Sequence, residues 1–249
     1  MTPSRFPVAI GRKLRLSATL LTLIAASPLA SLPDVPAADA APVPQTVLAP
    51  APKAAASPAT TAFAHGVPGL SPQAFTMALA AVSSARAHGI SGRDDLLTVI
   101  DYSLPSTERR LWVLDLERGK VLFHELVAHG SGSGDNYATR FSNTMESRQT
   151  SLGLFRTSGT YEGGNGYSLK LQGLDRGVND RAEERHIVMH GAWYVSAEHA
   201  RNTGRLGRSW GCPALPERIA PAVIDTIKGG SFIFAYAAES AAILPKYAG

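Results

Sequence analysis

From Leu96 to Tyr236 the sequence breaks into short β-prone runs, each stopped by Gly, Pro or a polar turn, and this punctuation favours a sheet over every other architecture. Leu96 to Tyr102, Arg110 to Asp115 and Val121 to Ala128 come first, separated by Pro105-Ser106 and Glu117-Arg118-Gly119. Thr150 to Thr157, Tyr167 to Leu171, Arg185 to His190 and Ser231 to Tyr236 follow, with Gly159 to Gly166 read as a turn. Helical spacing is confined to two places. Ser71-Pro72 offers a cap and a first-turn proline, Phe75, Leu79 and Val82 follow at helical intervals, and Gly89 ends a helix expected over residues 72–88. A shorter one is expected over Ala220 to Ile227, closed by Lys228-Gly229-Gly230. No internal repeat is visible. The expected fold is mainly β with a few short helices, preceded by an N-terminal helix.

The chain ahead of this domain has a different character. Arg5, Arg12, Lys13 and Arg15 make a positive opening, and Leu16 to Ala30 is largely apolar. At helical rise that stretch covers about 22 Å, short of a hydrocarbon core of roughly 30 Å. Residues 1–40 therefore read as a secretory signal peptide, with Ala38-Asp39-Ala40 as a cleavage site and no stable membrane span after cleavage. Residues 41–70, rich in Ala and Pro, read as a flexible or semi-extended tether, and residues 71–249 as the folded domain. Cleavage would remove the four basic residues just named and the acidic Asp34 and Asp39, which lowers the formal charge from +4 to +2. With no long Lys/Arg block, nucleic acid is not an expected partner. The expected location is outside the cytoplasm, in the periplasm or cell envelope, as a monomer.

The chain has one cysteine, Cys212, so neither an intrachain disulfide nor a Cys-rich zinc module can form. An unpaired thiol is notable in an exported protein, where thiols are usually paired or absent. Cys212 sits in Gly207-Arg208-Ser209-Trp210-Gly211-Cys212-Pro213-Ala214-Leu215-Pro216, a turn in which Gly lets backbone amides approach a reacting carbonyl and Pro fixes the exit. A thiol needs a base or an ion-pair partner to react near neutral pH. His190, in His186-Ile187-Val188-Met189-His190-Gly191, is the best candidate, because a Gly follows it at a strand end. The amides of Gly211 and Cys212 would hold the oxyanion of an acyl-transfer intermediate. His186 shares the expected strand face of His190 and reads more readily as a packed core histidine. His129-Gly130-Ser131-Gly132-Ser133-Gly134 lacks the Gly-Lys-Ser/Thr ending of a phosphate loop and reads as a permissive loop leaving a strand.

His190-Gly191 followed by Ser209-Trp210-Gly211-Cys212 resembles the signature of the YkuD-like L,D-transpeptidases. The stretch from Leu97 to Tyr236 is similar to the murein L,D-transpeptidase catalytic domain family. Shared landmarks are Ala128-His129-Gly130-Ser131-Gly132, Phe141-Ser142-Asn143, Thr150-Ser151-Leu152-Gly153, Gly166-Tyr167-Ser168-Leu169 and Gly211-Cys212-Pro213-Ala214-Leu215. Trp210 stands where many members carry His, and Pro213-Ala214 where many carry Arg or Asn. The resemblance implies an L,D-transpeptidase-like β-sandwich or barrel that works without a cofactor or metal on peptidoglycan stem peptides. It implies that Cys212 attacks the L-centre carbonyl of the third stem residue, releases D-Ala and passes the acyl group to an amine. His190 would manage the protons, with Arg208, Ser209, Trp210 and His129 at the substrate.

Three alternatives use the same residues. Water as acceptor would make the chain an L,D-carboxypeptidase. A zinc site would draw on His186, His190 and Cys212, with His129 as a fourth ligand. A non-catalytic wall-binding module would not need the thiol.

Overall fold

The computed structural model describes residues 62–63 and 65–247, so the expected signal peptide and most of the expected tether lie outside the described residues. Helix α1 (Pro72–Ala87) begins as expected: Ser71 accepts from the Ala74 amide and Pro72 occupies the first turn. Its inner face, including Ala74, Met77, Ala78 and Ala81, is buried. Phe63, Val67 and Leu70 are buried in the same cluster, so packed structure begins ahead of Ser71.

Eight strands form one sheet: β1 (Leu96–Asp101), β2 (Leu111–Asp115), β3 (Lys120–Glu125), β4 (Gly153–Gly163), β5 (Gly166–Gly173), β6 (Val188–Ala192), β7 (Ala214–Pro216) and β8 (Phe232–Tyr236). Their spatial order is β3-β2-β1-β8-β4-β5-β6-β7. β8 lies in the middle, parallel to β1 with Leu97 opposite Phe232, and antiparallel to β4 with Leu154 opposite Phe234. Beyond β3, Ala128 bridges to Ala214 of β7, joining one edge of the sheet towards the other in a near-barrel. That closure leaves few open edges to pair with other chains.

Alternation along the central strands splits their side chains between two cores. Phe232, Phe234, Leu97, Val99, Trp112 and Leu114 face α1. Ile233, Ala235, Leu111, Val113, Leu169, Leu171 and Met189 face the other core, which α3 (Ala220–Ile227) covers with Val223, Ile224 and Ile227. With both faces covered, β1, β2 and β8 are buried at every position, which is why they read as continuous apolar runs.

Two expectations change. The β4–β5 hairpin is longer than its apolar runs, because Tyr161–Ser168 and Glu162–Tyr167 continue the pairing and only Gly164-Asn165 remain as the turn. The strand expected from Arg185 begins at Val188 instead. Residues 182–187 close a helical turn: His186 N–H donates to Glu183 O (3.0 Å) and Ile187 N–H to Ala182 O (2.9 Å), with His186 left-handed at φ 54°. This is the Schellman pattern, and His186 holds the position usually given to Gly. Sequence reading also passed over α2 (Ala197–Thr203), capped by Ser196 and ended by a left-handed Gly204, and a C-terminal α4 (Ser240–Ile243) with a 3-10 turn at Pro245–Tyr247.

Candidate active site

His190 stands in β6, and Cys212 lies in the turn that leads into the adjacent β7. His190 is opposite Ala214 in the parallel β6–β7 pair, and Cys212 is two residues ahead of Ala214. Both side chains are nearly covered, Cys212 at 7% and His190 at 4% exposure.

The sulfur is cupped by the segment that enters β6. Val188 N–H donates to Sγ at 3.5 Å, and Sγ lies 3.6 Å from His186 O. Burial pushes the thiol pKa up, while the Val188 amide and the Arg185 charge pull it down. Among the described residues no hydrogen bond joins the sulfur to His190. The imidazole has its tautomer set by the backbone: Nδ1 lies 2.8 Å from Gly191 O, and a carbonyl only accepts, so Nδ1 carries the proton and Nε2 keeps its lone pair. Burial holds the imidazole below its ordinary value, opposed by that carbonyl. The resting pair is therefore neutral thiol beside neutral imidazole.

The turn around the thiol is fixed from within and from behind. Ser209 Oγ donates to Cys212 O (2.6 Å) and accepts from Gly211 N–H (3.1 Å), so its hydroxyl closes the turn. Ser209, expected at the substrate, has no hydroxyl hydrogen left to offer it. Gly211 N–H likewise has an acceptor, whereas Cys212 N–H has none among the described residues. Behind the turn, Ser209 N–H donates to His129 O (3.0 Å) and Ser131 N–H to Ser209 O (2.8 Å). The Gly/Ser stretch is thus the lateral partner of the Cys turn. Gly130 and Gly211 make the contact possible: a Cβ on Gly130 would overlap Arg148 O and come within 2.9 Å of Gly211 Cα, and Gly211 has φ 125°.

His129, expected at the cleft, is 1% exposed and sealed in. Arg110 Nη2 donates to its Nδ1 (2.8 Å), so Nε2 carries the proton, 3.4 Å from Gly134 O. Desolvation and the Arg110 charge push its pKa down to about 4. Both ring nitrogens are spoken for, so the ring offers no edge to substrate. Arg208 is held by Asp135 and Gly134 O, each at 2.9 Å, and clasps the same loop. Trp210 is 73% exposed with the Arg148 guanidinium 4.7 Å above its ring, so of the four residues expected at the substrate it alone presents a free face. His186 is exposed, not packed in the core, because its left-handed cap position turns it out of the strand. Among the described residues no three His, Cys, Asp or Glu side chains converge, so the ligands named for a zinc site do not gather.

A cavity of about 410 Å³ opens beside the sulfur's neighbours, lined by Tyr161 and Lys170 of the β4–β5 hairpin and by Glu183, His186 and Val188. Arg185 is the residue that sequence reading missed. Its fork reaches Ser142 O (2.7 Å), Ser147 Oγ (3.1 Å) and Gln149 O (2.6 Å), and Nη2 is 3.4 Å from where a Gly211 Cβ would stand.

The family profile of the L,D-transpeptidase catalytic domain matches residues 67–236. The chain belongs to that family. Solved structures similar to the chain include an L,D-transpeptidase from Mycobacterium smegmatis, with 15% identity and TM-score 0.35, covering 57% of this chain and 58% of that one. The cell shape determining protein Pgp2 (K307A mutant) from Campylobacter jejuni has 16% identity and TM-score 0.39, covering 68% and 57%. An L,D-transpeptidase from Stackebrandtia nassauensis has 14% identity and TM-score 0.35, covering 67% of each chain. The matched region spans less than two thirds of the first two proteins' length. No curated protein matches the chain. No helix among the described residues is long and apolar enough to cross a membrane.

Proposed function

We propose that the chain is a cysteine-dependent peptidoglycan L,D-transpeptidase of the cell envelope, with Cys212 as nucleophile and His190 as its base. The observation that carries this is the placement of the chain's one thiol beside β6, one strand from an imidazole whose Nε2 is free, within the matched family region. Sγ gives its proton to His190 Nε2 and bonds to the L-centre carbonyl carbon of the third stem residue. The Cys212 amide, which has no partner in the turn, receives the oxyanion. The C–N bond to D-Ala breaks as His190 returns the proton to the leaving amine. An acceptor amine then attacks the thioester, His190 takes its proton, and the thiol is restored. Rotation of the sulfur away from His186 O precedes the first step, in line with the looseness of catalytic hydrogen bonds before substrate binds. Trp210 offers an exposed face to the stem.

The test is incubation of the protein with a tetrapeptide muropeptide, with products weighed by mass spectrometry. A 3–3 crosslinked dimer and free D-Ala are expected. A shortened tripeptide alone would assign water as the acceptor. A carbapenem should leave one covalent adduct on Cys212. Cys212→Ala should abolish the adduct and all turnover while far-ultraviolet circular dichroism stays unchanged, and turnover that survives the substitution would refute the assignment.

A further inference from the structure

The thiol is buried, and its base does not touch it at rest, so what makes the thiolate reachable needs a source. Arg185 is half-buried at the start of the segment that cups the sulfur. Every hydrogen bond it makes goes to a neutral oxygen: Ser142 O, Gln149 O, Ser147 Oγ and Ser151 Oγ. None of the ion pairs among the described residues includes it, and the neighbouring Glu184 is held by Arg181. A guanidinium taken partly out of water without a counter-ion is costly, and an anion formed nearby relieves that cost.

The geometry says where such an anion would form. Nη2 packs against Gly211, the residue before the nucleophile, and His186 and Val188, one and three residues along from Arg185, touch the sulfur. The other titratable groups around the thiol are poorly suited to the task. His190 is held neutral by burial, Tyr102 and Tyr194 have burial pushing their phenols up, the latter to about 12, and His186 turns outward. Arg148, the next cation, lies over Trp210.

We propose that Arg185 is the counter-ion of the Cys212 thiolate, a positioning residue that stabilises the charged nucleophile while its fork ties the 142–151 loop behind the Cys turn. This rests on the reading of Cys212 as nucleophile. It assigns the two halves of thiol activation to different residues: His190 moves the proton, and Arg185 stabilises the charge left behind.

The test is the pH dependence of iodoacetamide alkylation of Cys212 in the wild type, R185Q and R185K, with thermal unfolding as the check on folding. R185Q should raise the thiol pKa by about one unit, which leaves about tenfold less thiolate below that pKa. R185K, which keeps the charge and loses the fork, should stay within a few tenths of wild type. Equal shifts in both variants would overturn the proposal in favour of a purely structural clamp. Unchanged pKa values with only KM for the donor raised would overturn it in favour of a substrate carboxylate as the partner. Should R185Q not fold, R185K still decides, because a raised pKa with the charge retained contradicts the proposal. Absence of both alkylation and carbapenem capture in the wild type would instead sink the reading of Cys212 itself.

Discussion

At the scale of single residues, burial sets the protonation states that the chemistry needs. As the proposed base, His190 can act only when neutral, and burial holds its pKa below the ordinary 6.5. The acid limb of kcat/KM for acylation should therefore lie below pH 6.5, with rate falling as pH drops through the His190 value; a limb centred above 6.5 would contradict this. His190→Ala should cost about 10²–10⁴-fold in acylation rate, as general acid–base groups do. His129 gives a stability signature of the same origin. Its pKa falls from 6.5 to about 4 on folding, so below pH 6.5 the unfolded chain takes up the proton first. Stability is intact above pH 6.5 and is lost as pH falls to about 4, by on the order of 3 kcal/mol. His129→Asn, which keeps an acceptor for Arg110, should flatten the melting temperature between those values. A profile as steep as wild type would remove His129 as the cause. Cys212 and His190 could be singled out in the sequence as candidates because residue type and spacing suggest their chemistry. Arg185 was not, because a run of Glu183-Glu184-Arg185 looks like solvated surface charge, and its acceptors lie 34 to 43 residues earlier in the chain. His129 was misplaced for a related reason: a Gly-rich flank suggests exposure, while the buried guanidinium that claims its ring comes from β2's entry at Arg110.

At the scale of elements, the signals that were readable were local ones. α1 follows from a cap, a proline and an apolar stripe, and α3 from a first-turn proline and an apolar stripe, all within one segment. β7 was invisible, since three residues that end in one proline and follow another have no period, and it exists because Ala214 and Leu215 pair with His190 and Gly191. The start of β6 was misread because alternation in His186-Ile187-Val188 looks like strand, while the Schellman bonds to Glu183 and Ala182 bind the first two of these to the preceding turn. That cap delivers His186 O and Val188 N–H to the sulfur. A left-handed backbone costs a non-Gly residue roughly 1–2 kcal/mol, part of which Gly returns through its greater unfolded freedom. His186→Gly should accordingly stabilise the fold by about 0.5–1 kcal/mol in urea unfolding, with carbapenem capture retained. A loss of stability would mean that the exposed imidazole contributes contacts beyond its backbone role.

At the scale of the whole molecule, the site depends on a strand far from it in sequence. The last strand, β8, is the central one, parallel to β1 and antiparallel to β4, so the near-barrel exists only when the end of the domain has docked. The apolar run Phe232-Ile233-Phe234 announces burial, but no periodicity can say between which strands. This order also makes the fold rich in non-local pairs, which close slowly. Ending the chain at Gly230 removes Phe232, Ile233, Phe234 and Tyr236, each worth about 2 kcal/mol of burial. Together they approach the net stability of roughly 5–15 kcal/mol that a domain has. Two open edges would be left on β1 and β4, with the α1 core cut off from the α3 core. Ending it after Ala238 is a milder change, since it takes away Leu244 and the Lys246 and Tyr247 partners of buried Asp175 but leaves all eight strands. The shorter chain should lose cooperative thermal unfolding and all carbapenem capture, whereas the longer should unfold cooperatively at a lower temperature and still be acylated at Cys212. If the chain ending at Gly230 kept a sharp transition and a reactive thiol, the β6–β7 region would be an independent unit, and the central placement of β8 would not be what holds the site together.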